Sequence, residues 1–133
     1  MNVVCAIIIA NKRIFAAQRS EIMKLPLKWE FPGGKMEQNE TEEDCLRREI
    51  VEELGIVIEI GDRLRESIVS YENITIRLIP YLAKFISGQI KLLEHKDYRW
   101  LSKAELLDLD WADADIPIVL ELLKSDYESI RTI

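Results

Sequence analysis

The sequence predicts an α/β fold in which a mixed β-sheet is sandwiched between α-helices. Short apolar, β-branched segments, which are typical of strands, alternate with two segments whose apolar residues recur at helical spacing. The chain of 133 residues has the length of one domain, and no internal repeat, low-complexity stretch or linker divides it. We therefore expect a single domain over residues 1–133.

The N-terminal segments predict a β-hairpin. Residues 3–10 are apolar and β-branched, as in a buried strand, and residues 14–18 are expected to pair with them across a turn at residues 11–12. Residues 29–31 form a short extended piece. The Pro-Gly-Gly run at residues 32–34 is a strong breaker, so we expect regular structure to stop there.

The first helix is predicted from its end signals. Thr41 is a suitable N-cap, with the acidic Asp44 three positions later. The helix should run to about Leu54 and end at Gly55, since glycine is the usual residue just beyond a helix C-terminus.

The C-terminal half predicts further strands and two helices. Strands are expected at residues 56–60, 66–71, 74–86 and 98–101. Pro80 indicates a bulge or an edge position, because proline cannot donate a ladder hydrogen bond. Ser102 and Glu105 form a capping box for a short helix, and a final packed helix is expected over residues 116–123.

Composition excludes several classes of protein. The net charge of −6 argues against binding a nucleic-acid duplex through a basic surface. No apolar run approaches the ~20 residues that cross a bilayer, and residues 3–10 follow no basic segment, so neither a membrane span nor a signal peptide is expected. Cys5 and Cys45 have no metal-type spacing, so we expect reduced thiols in a cytoplasmic protein.

An acidic cluster on the first helix is the main candidate for chemistry. At about 100° per residue, Glu49, Glu52 and Glu53 fall on one helical face. Carboxylates crowded in this way repel one another, and a hard cation such as Mg²⁺ relieves the repulsion. The spacing alone leaves two alternatives open, a metal site and an exposed acidic face.

The residues around this cluster resemble the signature of the Nudix hydrolase family. Gly34, Glu40 and residues 48–56 match all nine defined positions of that signature over 23 residues. Residues 29–35 look like the segment that precedes it in MutT-type members, and residues 114–117 resemble the bacterial CTP pyrophosphohydrolases of the family. The resemblance covers nearly the whole chain and implies the Nudix fold, an α/β/α sandwich.

The resemblance implies a magnesium-dependent reaction, in which Mn²⁺ can substitute. Water attacks the β-phosphorus of a nucleoside triphosphate and releases a monophosphate and pyrophosphate. The metal ligands implied are Gly33 through its carbonyl, Glu49, Glu52 and Glu53, with Glu94 as a further acidic ligand. Arg48 would orient the carboxylates, Glu40 would support them, and the general base would be Glu53 or Glu94.

The substrate-binding residues implied are Arg19, Phe31, Lys35 and Asp115. Arg19 fits a phosphate contact, and Phe31 could stack on a base or belong to the core. Asp115 aligns with the residue that bonds the base in MutT; it would accept a hydrogen bond from an exocyclic amine or, alternatively, cap the last helix. His95, the single histidine, is not expected to be catalytic.

The substrate preference stays open between 8-oxo-dGTP and (d)CTP. ADP-ribose hydrolysis is the second candidate chemistry. Members of that group typically carry a proline shortly after the signature, whereas this sequence has none before Pro80. A Nudix-fold binding module without catalysis is a third reading, and the complete set of carboxylates argues against it. Either a monomer or a homodimer is compatible with the sequence.

Overall fold

A mixed β-sheet of eight strands lies between two α-helices in the computed structural model, which describes residues 1–125. The strands are β1 (Asn2–Ala10), β2 (Arg13–Gln18), β3 (Trp29–Glu30), β4 (Gly33–Lys35), β5 (Val57–Arg63), β6 (Ser67–Tyr71), β7 (Ile74–Ser87) and β8 (Asp97–Leu101). The helices are α1 (Glu42–Leu54) and α2 (Ile116–Lys124). No helix within residues 1–125 is long and apolar enough to cross a membrane.

The centre of the sheet is the parallel pair β1 and β7, which runs in register from Asn2 opposite Arg77 to Ile9 opposite Lys84. The strand order is β3-β2-β1-β7-β5, with β4 beside β1, β6 beside β7 and β8 beside β2. The predicted hairpin of β1 and β2 is confirmed. Asn11 and Lys12 have φ values of 51° and 64°, as expected in the tight turns that join two antiparallel strands.

Helix α1 forms as its end signals predict. The Thr41 hydroxyl accepts a hydrogen bond from the Asp44 N–H at 3.1 Å, and Gly55 ends the helix with a φ of 68°. Leu46 and Ile50 are fully buried against one face of the sheet. Helix α2 covers the opposite face with the side chains Ile118, Val119 and Leu122. The predicted sandwich is therefore present.

The structure corrects the expectation that regular structure stops at residues 32–34. Gly33 to Lys35 form β4, which pairs antiparallel with β1. A Cβ atom on Gly33 would lie 1.9 Å from the Val4 carbonyl oxygen, so only glycine permits this approach. The glycine that breaks a pattern in the sequence is the residue that lets two strands meet.

The edge position expected for Pro80 is also wrong. Pro80 is buried in β7, with Cys5 of β1 opposite it on one side. On its other side β7 changes partner from β6 to β5, and the register shifts between Ile60 and Arg63. The irregularity is therefore the register shift in β5. Because Pro80 has no ladder partner in β5 or β6 at this point, the missing N–H of the proline costs no ladder bond.

The short helix after Ser102 is a 3₁₀ helix, Lys103–Asp108. Its capping box is present as predicted, since the Ser102 N–H donates to the Glu105 carboxylate at 2.9 Å. A further hydrogen bond, from the Trp111 indole N–H to the Leu106 carbonyl at 2.6 Å, ties this helix to the chain that leads into α2.

Replacing Gly55 tests how much the helix end depends on backbone conformation alone. A Cβ atom at this position would meet no atom closer than 4.0 Å, so space is not limiting. The φ of 68° is nevertheless costly for an ordinary L-residue. We expect Gly55→Ala to lower the free energy of unfolding by about 1 kcal/mol, and Gly55→Asn by less, in denaturant titrations. Equal losses for the two variants would contradict this explanation.

Candidate active site

The second half of α1 presents three carboxylates on one side but at different depths. The side chain of Glu53 is 4% exposed, that of Glu49 is 17% exposed and that of Glu52 is 55% exposed. Arg48 contacts both Glu49 and Glu52, and the charge of Glu49 acts on Glu53, so the three carboxylates lie together as predicted. The cluster extends from the exposed Glu52 down to the buried Glu53, whose carboxyl group meets the backbone of β4, so it is not a simply solvated acidic face.

Arg48 connects this cluster to the loop before α1. Its guanidinium donates two hydrogen bonds to Glu40, at 2.7 and 2.9 Å, and further ones to Glu49 at 2.9 Å and Glu52 at 3.2 Å. The hydrogen bonds from Arg48, together with one from the Glu37 N–H, lower the pKa of Glu40 to about 2. Arg48 and Glu40 are thus a charged pair at any moderate pH, and the arginine holds two of the cluster's carboxylates in place.

The backbone of β4 lies against the same carboxylates. The Gly33 N–H donates to Oε1 of Glu53 at 3.2 Å. A Cβ atom on Gly34 would lie 2.2 Å from the carboxyl carbon of Glu49. The two glycines therefore let the backbone approach the acidic face of α1 closely enough for main-chain groups to contribute to the site.

A chain of polar contacts runs from Arg19 to Glu53. Arg19 donates to Oε1 of Glu30 at 2.6 Å, and Oε2 of Glu30 lies 2.7 Å from Nε2 of His95. The other ring nitrogen of His95, Nδ1, lies 3.4 Å from Oε2 of Glu53. The His95 side chain is 0% exposed, which places it at the bottom of the site.

Sequence reasoning missed Glu30 and gave His95 no role. Glu30 reaches the site because β3 pairs with β2, Ala17 facing Glu30. His95 is placed beside them by the hydrogen bond from the Lys96 N–H to the Gln18 carbonyl at 2.9 Å. The signals available were the glutamate in the Trp-Glu-Phe segment before the signature and a histidine directly after Glu94.

Burial and like charges dominate the electrostatics of the site. Burial raises the pKa of Glu53 to about 9, and the neighbouring carboxylates Glu30, Glu49 and Glu94 add to the rise. Burial also raises the pKa of Glu49. The anionic form of this cluster is therefore unfavourable in the protein alone, and a bound cation would stabilise it.

The donor set fits a divalent cation. Oxygen atoms from several carboxylates are the ligands that Mg²⁺ prefers together with phosphate oxygens. Glu30, Glu53 and His95 each bring a ligand atom within 4.8 Å of the others. Nδ1 of His95 is buried and has no hydrogen-bond partner within residues 1–125.

The remaining predicted residues lie at different distances from this cluster. Glu94 is exposed, and its charge acts on the pKa of both Glu49 and Glu53, so it borders the site. Lys35 is exposed on β4, and its carbonyl accepts a hydrogen bond from Arg48 at 3.4 Å. A contact of Lys35 with substrate stays a prediction.

Asp115 has a different structural role from the helix cap considered above. Its side chain makes no capping hydrogen bond to α2. Instead Oδ1 accepts a hydrogen bond from the buried Phe31 N–H at 2.8 Å. Burial raises the pKa of Asp115 well above its usual value, and the charge of Glu30 adds to the rise. The helix-cap alternative is therefore wrong.

Phe31 lies in the core. It is 3% exposed, and its ring centroid is 4.7 Å from that of Trp111. Stacking of Phe31 on a nucleotide base stays a prediction, and it would require this ring to be uncovered.

The chain is similar to known proteins over most of its length. The NUDIX domain family matches residues 1–122 of the chain. The CTP pyrophosphohydrolase of Escherichia coli K12 is 34% identical over 119 residues, which are 90% of this chain and 88% of that protein. The 8-oxo-dGTP diphosphatase of the same strain is 30% identical over 112 residues, which are 84% of this chain and 87% of that protein.

A solved structure is also similar throughout. The solution NMR structure of the DNA mismatch repair protein MutT, a Nudix hydrolase from methicillin-resistant Staphylococcus aureus 252, is 47% identical in sequence. The matched region covers 92% of this chain and 95% of the Staphylococcus aureus chain, with a TM-score of 0.75. The predicted fold is confirmed by this likeness.

The raised pKa of Glu53 predicts how stability depends on pH without divalent cations. In the folded protein the pKa of Glu53 is about 9, above its ordinary value of 4.5. Stability from this group is therefore complete below about pH 4.5 and is lost as pH rises towards 9. We expect the free energy of unfolding in chelator to fall by several kcal/mol over this range.

The matched variant is Glu53→Gln, which cannot ionise at this position. Its free energy of unfolding should depend much less on pH, and added Mg²⁺ should stabilise the wild type at pH 9 but not the variant. Denaturant titrations at a series of pH values measure both effects. Parallel curves for the two proteins would contradict the pKa assigned to Glu53.

Proposed function

The chain belongs to the Nudix family and is a nucleoside triphosphate pyrophosphohydrolase, and we propose that magnesium bound by the carboxylates of α1 serves its reaction. Nudix hydrolases generally use a divalent metal. The observation that carries the proposal is the graded set Glu49, Glu52 and Glu53, which faces the β4 backbone and has Arg48 beside it. Such a cluster is unfavourable without a cation.

The magnesium ions would neutralise the triphosphate and lower the pKa of a bound water. Mn²⁺ is expected to substitute. The ligands we propose are Glu49, Glu52, Glu53, Glu94 and the Gly33 carbonyl. The hydrogen bond from the Gly33 N–H to Glu53 supports this set, because it places that backbone segment beside the carboxylates.

The chain's own residues divide the remaining tasks. Arg48 holds Glu49 and Glu52 against each other's repulsion. The water that attacks the β-phosphorus must lose a proton, and Glu53 or Glu94 accepts it. Arg19 would bind a phosphate oxygen with the guanidinium N–H groups that donate neither to Glu30 nor to the Lys24 carbonyl.

Asp115 is the proposed contact to the base. Its Oδ1 holds the Phe31 backbone, and Oδ2 is the atom that we propose for the contact with the base. An ionised carboxyl accepts a hydrogen bond from an exocyclic amine, and a protonated one donates to a carbonyl. Substrates named for the relatives, CTP and 8-oxo-dGTP, both carry an exocyclic amine, and we propose that this protein acts on nucleotides of that class.

A panel of nucleoside triphosphates tests the reaction. With Mg²⁺ or Mn²⁺ we expect equal amounts of monophosphate and pyrophosphate, and with excess chelator no turnover, because nothing else offsets the acidic site. Glu53→Gln should lower kcat at least ~10²-fold. Glu43→Gln, which removes an exposed carboxylate of the same helix, is the control and should turn over normally. Release of single phosphates, or turnover in chelator, would refute the proposal.

Asp115→Asn tests the contact to the base. The asparagine oxygen can still accept from the Phe31 N–H, whereas its amide group replaces Oδ2 by a fixed donor. Asp115→Ala would be less informative, because it also removes the support of Phe31. We expect the ratio of kcat/KM for dCTP to that for dUTP to fall about tenfold or more in Asp115→Asn.

The pH dependence of this ratio adds a second readout. Because burial raises the pKa of Asp115, the carboxyl is protonated at low pH and ionised at high pH. The wild-type preference for dCTP should therefore increase as pH rises, while that of Asp115→Asn should stay constant. If Asp115→Asn shows the same preference for dCTP as the wild type at every pH, base selection belongs to other residues.

A further inference from the structure

The imidazole of His95 is enclosed between two carboxylates. Nε2 lies 2.7 Å from Glu30 and Nδ1 lies 3.4 Å from Glu53. Within residues 1–125, only Nδ1 of His95 and the Ser67 hydroxyl are buried side-chain polar atoms without a hydrogen-bond partner. A buried nitrogen aimed at a carboxylate of the active site calls for an explanation, because an unsatisfied polar group is costly.

The contacts of Glu30 orient the imidazole. Glu30 is paired with Arg19 at 2.6 Å, and Nε2 of His95 lies 2.7 Å from the same carboxyl group. Because carboxylate oxygens accept hydrogen bonds, we expect Nε2 to donate in this contact. The contact turns Nδ1 towards Glu53, and a hydrogen-bonding partner on one ring nitrogen fixes the orientation of a histidine ring.

The two oxygens of Glu53 face different groups. Oε1 accepts from the Gly33 N–H at 3.2 Å, and Oε2 lies 3.4 Å from Nδ1 of His95. The carboxyl group is therefore enclosed between the backbone of β4 and the imidazole, and these two neighbours restrict its rotation.

We propose that His95, oriented by Glu30, is the positioning residue that holds the carboxyl group of Glu53 in its metal-binding orientation. The proposal rests on the proposed function, since it assigns Glu53 to the metal. It also links the phosphate-binding side of the site to the metal side, because Arg19 fixes Glu30 and Glu30 fixes His95. In this role His95 acts through Glu53.

Two substitutions of His95 separate its two contacts. His95→Asn places an amide near the position of Nδ1 and keeps a partner for Glu53. His95→Gln places its amide near the position of Nε2 and keeps a partner for Glu30 only. A purely structural role predicts that the two variants lose similar amounts of stability and of activity.

The positioning role predicts a difference between them. In His95→Gln the nucleotide-free protein should bind Mn²⁺ about tenfold or more weakly, measured by electron paramagnetic resonance, as expected for loss of a group that orients a ligand. Its kcat should fall by a similar factor while KM for the nucleotide stays within about twofold. His95→Asn should recover most of both losses. Equal Mn²⁺ affinity in both variants and the wild type would overturn the proposal.

The wild-type protein offers a test that needs no variant to fold. His95 is the single histidine, so ¹⁵N-labelled histidine gives one pair of ring signals. We expect Nε2 to be protonated, and added Mg²⁺ to shift the Nδ1 signal more than the Nε2 signal. An unprotonated Nε2, or an Nδ1 chemical shift that does not change when Mg²⁺ is added, would overturn the proposal. If the wild type releases pyrophosphate while Nδ1 does not respond, only the positioning role fails; if it releases none, the proposed function fails.

Discussion

Electrostatic repulsion among the carboxylates of α1 is the constraint on which the active site depends. Glu49, Glu52 and Glu53 lie in the last two turns of the helix, and the last turn carries no basic residue. Carboxylates are least favourable at this end, because the helix dipole is negative there. Two surrounding contacts each offset part of that cost, one from the guanidinium of Arg48 and one from the Gly33 N–H of β4.

The same constraint explains why the site and the fold share residues. Gly33 allows β4 to pair with β1, and its N–H also reaches Glu53. Asp115 precedes α2 and holds the backbone of Phe31, so the last helix is tied to the strand that carries Glu30. Residues that would otherwise serve packing alone therefore also fix the positions of the groups proposed for chemistry.

The features that could be predicted from the sequence are those that depend on neighbouring residues. Thr41, Gly55 and the turn at Asn11 follow local rules, and the spacing of the glutamates on α1 follows helical geometry. The contact from His95 to Glu30 joins residues 65 positions apart, and that from Asp115 to Phe31 joins residues 84 apart. No local pattern encodes such pairs, because strand pairing brings them together. Pro80 shows the same limit, since its place in a central strand depends on where β7 changes partners.

The parallel pairing of β1 with β7 has a consequence for the order in which the protein is made. The N-terminal amine donates to the Thr75 carbonyl at 2.9 Å, and β1 remains in register with β7 as far as Lys84. A nascent chain that ends before β7 can form the first hairpin and α1, but the centre of the sheet still lacks a strand. Contacts of this sequence separation form late, because the closure of a long loop precedes any gain from pairing. During synthesis on the ribosome, the apolar face of α1 therefore stays incompletely covered until residues 74–87 have emerged. In this interval apolar side chains of the future core are exposed to other proteins.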